Sequence, residues 1–147
     1  MKKQWVILWC LSLGLSLQAR GQGGWFTVMG DPADATVDTV EVDPVPLIAH
    51  QDLRTMRVRV HRAVQRTNWD GVPYRSYESQ VLFDCTHRSA RYVSITYYMQ
   101  PAWKGQAHKT VIYTRLDPRW MEFRDIQPNP HARIVRAACQ SMGAATP

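Results

Sequence analysis

Residues 54–64 read RTMRVRVHRAV, alternating apolar and polar side chains through their central part. Successive residues of an extended chain point to opposite faces, so Met56, Val58 and Val60 share one face and Arg57, Arg59 and His61 the other. The pattern predicts a β-strand with one face in a core and one in solvent, which belongs in an antiparallel sheet.

The neighbouring segments supply partners for it. NWDG at 68–71 offers residues that tolerate positive φ and so predicts a hairpin turn. Beyond it Tyr77, Ser79, Val81, Phe83 and Cys85 fall on one face of the returning strand. YVSITYYM at 92–99 and TVIYTRL at 110–116 are rich in β-branched and aromatic residues and predict two more strands, with PAWKGQ as a loop between them. Upstream, 25–29 and TVDTVEV at 36–42 predict short strands, whereas Pro44 and Pro46 predict a loop over DPVPLIAHQD at 43–52. Only the end of the chain has helical spacing: Ile134, Val135, Ala138, Cys139 and Met142 form one stripe over 130–142, with Asn129 as the cap, Pro130 in the first turn and Gly143 at the stop. The fold expected is α+β: an antiparallel sheet of about six strands with a C-terminal helix.

The first residues, MKKQWVILWCLSLGLSLQARGQ, run from two lysines through an uncharged apolar stretch to small and polar residues. This is the layout of a secretory signal peptide, and the apolar stretch from Trp5 to Leu17 falls short of the about 20 residues of a membrane helix. Cleavage is expected after Ala19 or Gly21, making 1–21 the signal and 22–147 a single exported domain without an integral membrane segment, periplasmic or at the cell surface. Cys10 follows the bulky Trp9, unlike a lipid-modified cysteine, and leaves with the signal.

Cys85 and Cys139 remain, an even count in a chain bound for an oxidising compartment, and predict a disulfide between strand and helix. The competing reading is a thiolate at Cys85 activated by His87 or by Arg88 and Arg91, in a small thiol-dependent enzyme. Cys85-Thr86-His87 lacks the second pair a zinc site needs. Paired carboxylates, a phosphate-binding glycine loop and a Ser-His-Asp set are all missing from the sequence. The expectation is therefore no catalytic residue, no metal and no cofactor.

Loss of residues 1–21 lowers the formal charge from +6 to +3, and 13 of the 15 remaining bases are arginine. Six acids, Asp31 to Asp52, precede the first of those bases, Arg54. Arg57, Arg59 and His61, joined by Arg88 and Arg91, are candidate binding residues for a sulfated or phosphorylated polyanion; the alternative is pairing with the protein's own acidic segment. A charge of +3 in an exported chain does not point to nucleic acid.

The acidic β segment, DPVPLIAHQDLRTMRVRV, SYESQVLFDCTHRSARYVSITYY, Trp120 within RWMEFRDIQPNP, and a short helix ending in RAAC together resemble the surface adhesin protein E family of exported bacterial domains, over roughly 36–140. The resemblance implies an antiparallel sheet with a C-terminal helix held by a disulfide, matching Cys85 with Cys139, and binding to host extracellular-matrix proteins. The function expected is thus an exported, non-catalytic adhesin-like module for a matrix protein or polyanion, with a structural or assembly factor of the cell envelope as the alternative.

Overall fold

The computed structural model describes residues 24–140; the expected signal peptide, Cys10, Met142 and Gly143 lie outside them. One sheet organises the chain, and its spine is three long antiparallel strands: β4 (Leu53–Thr67), β5 (Pro73–Asp84) and β6 (Ser89–Tyr98). Each outer edge of the spine carries two short strands end to end. On the β4 side are β2 (Thr39–Val42), itself paired with β1 (Phe26–Met29), and β3 (Ile48–His50). On the β6 side are β7 (Ala107–Ile112) and β8 (Arg119–Trp120).

The alternation in β4 sets the two faces. Met56, Val58 and Val60 are fully buried, and across the ladder they meet Val81, Ser79 and Tyr77 of β5, all buried. Val40 and Val42 of β2 extend this face on one side, and Tyr92, Ile95 and Tyr97 of β6 on the other. The core is closed by Met121, Phe123 and Ile126 and by helix α1 (His131–Gln140), which buries Ile134, Val135 and Ala138. Burying an aliphatic side chain contributes about 1.5–3 kcal/mol, so this row supplies most of what holds the helix down.

Local chemistry sets the connections. Asn68 Oδ1 accepts the backbone N–H of Asp70 and of Val72, and Gly71 takes φ +76°, closing the β4–β5 hairpin. Gly30 at φ +83° lets β1 turn toward β2, where a Cβ would stand 2.2 Å from the Asp38 carbonyl oxygen. Asn129 Oδ1 accepts the His131 N–H and caps α1. Cys85, just past β5, is bonded to Cys139 in α1, closing a loop of 54 residues across a Cα–Cα distance of 5.7 Å. Sheet, helix and bridge agree with the sequence reading.

The main departures are two added short strands and one shifted strand, besides smaller offsets at the ends of β2 and β6. The proline-rich segment contains β3, because after Pro46 the free backbone groups of 48–50 meet those of 53–55. Strand β7 spans 107–112 instead of the expected 110–116, because Tyr113 turns into the core. The segment after it adds β8, a two-residue ladder with β6.

Candidate functional site

The sheet face opposite the helix carries the candidate basic residues. Register places Glu41 of β2 directly beside Arg59 of β4. Arg59 Nε donates to Glu41 Oε2 at 2.7 Å and Nη2 donates to Oε1 at 3.1 Å, a bidentate pair whose carboxylate is buried. The same guanidinium lies between two indoles, 4.2 Å from the centre of Trp25 and 4.1 Å from that of Trp103. Trp103 comes from the turn after β6 and is fixed there, its indole N–H donating to the Tyr77 carbonyl and its backbone N–H to Ser76 Oγ. Arg57 donates to Asp43 Oδ2 through Nε, at 3.0 Å, and through Nη2, and its side chain stays half exposed.

His61 lies on this face but beneath its surface. The Ala102 N–H donates to Nδ1, so Nε2 carries the ring proton and donates to the Ala35 carbonyl. Both ring nitrogens are used by the backbone, and none is left for a ligand. Arg91 sits on the same face two strands away, opposite Leu82 and so level with Thr55, displaced along the strands from Arg57 and further from Arg59 and His61. Arg88 stands exposed in the β5–β6 turn at φ +53°. The five candidates therefore divide into two arginines compensated by the acidic front segment, one buried histidine and two dispersed arginines.

Cys85 has no free thiol. Arg54, buried at the start of β4, donates from Nη1 to Cys85 Sγ at 2.8 Å and to the Cys139 carbonyl at 3.1 Å. A guanidinium at the last carbonyls of a helix also complements its dipole. Asp84, part-exposed at the end of β5, is held below the usual carboxylate range by the backbone N–H of His87 and by its ring. Among the described residues no group of three or more His, Cys, Asp or Glu side chains could hold a metal ion.

One feature escaped the sequence reading. Trp25, Phe26 and Val28 of the β1 region and Arg133, Arg136 and Ala137 of α1 line a groove of about 540 Å³ along the outermost strand. Phe26 is 57% exposed there, although an apolar run before a turn reads as core. The available signal was the doublet Trp25-Phe26: consecutive strand residues face opposite sides, so both cannot enter one core.

Residues 25–140 match the sequence profile of surface-adhesin protein E. The chain belongs to that family. Membership in a surface-adhesin family points to a binding role at a surface. The span matched begins at Trp25 and ends just past Cys139, so the arginine stack, the groove and the bridge are all parts of the adhesin E domain. Neither curated proteins nor solved structures yield a match to the chain. No helix among the described residues is long and apolar enough to cross a membrane.

Proposed function

We propose that the chain is an exported, non-catalytic adhesin-like module that holds a protein partner, an extracellular-matrix glycoprotein of a host, along the β1 edge of its sheet. The observation that carries this reading is the exposed Phe26 on the outermost strand, beside a groove rimmed by Arg133 and Arg136. An unpaired strand edge offers a row of backbone donors and acceptors to an extended segment of another chain. An aromatic anchor beside such an edge has the makeup of an interface hot spot, where apolar burial and arginine dominate.

A polyanion is the weaker partner. Arg57 and Arg59 face Asp43 and Glu41, so the middle of this face has little net charge to offer sulfate or phosphate. Arginines already in bidentate pairs would first have to leave them. The catalytic thiol reading has lost its nucleophile to the bridge.

Solid-phase binding of the mature chain to a panel of matrix glycoproteins and to heparin tests the proposal. Binding to a glycoprotein is expected, reduced about tenfold or more by Phe26→Asp, the ~1.4 kcal/mol scale of an interface anchor. Heparin as the sole ligand retained, or equal glycoprotein binding by Phe26→Asp, contradicts it. Protease added to intact cells should cut the chain; a chain left uncut places its partner inside the envelope and returns the assembly-factor reading.

A further inference from the structure

A second concavity, of about 360 Å³, opens on the helix-side face of the sheet, beside the β4–β5 hairpin. It falls at the small end of the roughly 300–1,000 Å³ typical of ligand pockets. Its aromatic lining is dense. Tyr74 packs against Tyr77 and Tyr97 with ring centres 5.5 and 5.4 Å apart, and Trp69, half exposed at the hairpin tip, lies 6.0 Å from Tyr92. The polar atoms are held in place: Tyr77 Oη and Tyr92 Oη share a hydrogen bond of 2.8 Å, and Asn68 Nδ2 donates to Tyr97 Oη at 2.8 Å. Burial pushes the phenols of Tyr77, Tyr92 and Tyr97 above their ordinary range, so at neutral pH they keep their protons.

Arg62 also lines the pocket. Its side chain is 3% exposed, Nη1 donates to Asp38 Oδ2 at 3.1 Å, Nη2 pairs with Asp125, and the buried Nε has no hydrogen-bond partner. At the mouth Arg124 pairs with Glu122 at 2.7 Å. The charged residues lining the pocket thus cancel: Arg62 and Arg124 against Glu122 and Asp125. A cation entering an aromatic cage would meet two guanidinium groups, and an anion two carboxylates. What remains selective is a set of flat aromatic faces next to fixed donors and acceptors.

We propose that this pocket binds a neutral saccharide, the terminal sugar of a glycan, with its C–H face on the Trp69 indole and its hydroxyls among the tyrosine, Asn68 and Arg62–Asp125 groups. Sugar hydroxyls both donate and accept, so the compensated ion pairs serve them where a charged ligand would lose as much as it gained. The aromatic faces bury the apolar side of the ring. This inference does not rest on the protein-binding reading, since Phe26 does not line the pocket.

Titration calorimetry and tryptophan fluorescence of the mature chain with lactose, cellobiose and chitobiose test it, with choline and inorganic phosphate as charged competitors. At least one neutral disaccharide should bind with a Kd on the order of 1 mM or below. Trp69→Ala should weaken that binding about tenfold or more, Trp69→Phe should retain part of it, and Phe26→Asp should leave it unchanged. Trp69 is 53% exposed, so the far-ultraviolet circular dichroism of Trp69→Ala should match that of the parent. No binding of any neutral disaccharide at about 10 mM, affinity unmoved by Trp69→Ala, or displacement by choline or inorganic phosphate would overturn the proposal.

Discussion

Strand β4 carries arginine on both faces, and the two sets live differently. On the outer face Arg57 and Arg59 meet Asp43 and Glu41 of the neighbouring segment, and Arg59 is stacked between two indoles. On the inner face Arg54 and Arg62 bracket the apolar row of Met56, Val58 and Val60, one held against the disulfide and the helix end, the other lining the tyrosine pocket. Parity decides which face an arginine takes. The element that arrives opposite it decides whether it acts as a fastener, a pocket wall or a solvated charge.

The largest effect is expected at the Arg54 end. Cys139→Ser opens a loop of 54 residues and should lower unfolding stability by about 4 kcal/mol on the chain-entropy scale. Denaturant titration checks it, and an unchanged midpoint would mean that packing alone fastens the helix. Next comes the outer fastener. Arg59→Ala leaves the buried Glu41 carboxylate unpaired and should cost about 3 kcal/mol, the lower end for breaking a buried pair, because Arg59 keeps some exposure. Arg59→Lys should recover little, since an ammonium reproduces neither the fork nor the stacking.

The pocket end should show itself in alkali. Burial raises the Tyr77, Tyr92 and Tyr97 pKa values, so stability from these groups is complete below the unfolded tyrosine pKa of about 10 and is lost as pH rises beyond it. Melting temperature should fall progressively above about pH 10, with tyrosinate absorbance appearing together with unfolding. Titration of these three phenols in the still-folded chain would show that burial does not hold their protons. Arg57→Ala should matter least, about 1–2 kcal/mol, since the Arg57 side chain is half exposed and the buried Asp43 carboxylate keeps the Val45 N–H. A larger loss would erase the distinction drawn between the outer two arginines.

Much of this architecture was legible in the sequence. Period two in β4 placed Met56, Val58 and Val60 inward, NWDG located the hairpin, and the stripe through Ile134 and Ala138 oriented the helix toward Cys85. The site was less legible for reasons of register and coverage. That Arg59 meets Glu41 depends on which residues of β2 and β4 pair, and no local pattern states this. Arg62 continues the inward parity, but a charged residue reads as solvated until Asp38 and Asp125 are seen beside it. His61 has the expected outward parity and is still buried, because the turn 101–103 folds over it. Segments β3 and β8 are too short to show a period.

If the outer arginines are spent inside the molecule, a double-mutant cycle of Arg59→Ala and Glu41→Ala, measured by denaturant unfolding, should give a coupling of about 2 kcal/mol, within the range found for residues sharing one ion-pair network. Additive losses, with no coupling beyond about 0.5 kcal/mol, would contradict it and return Arg59 to the pool of charges available to a partner.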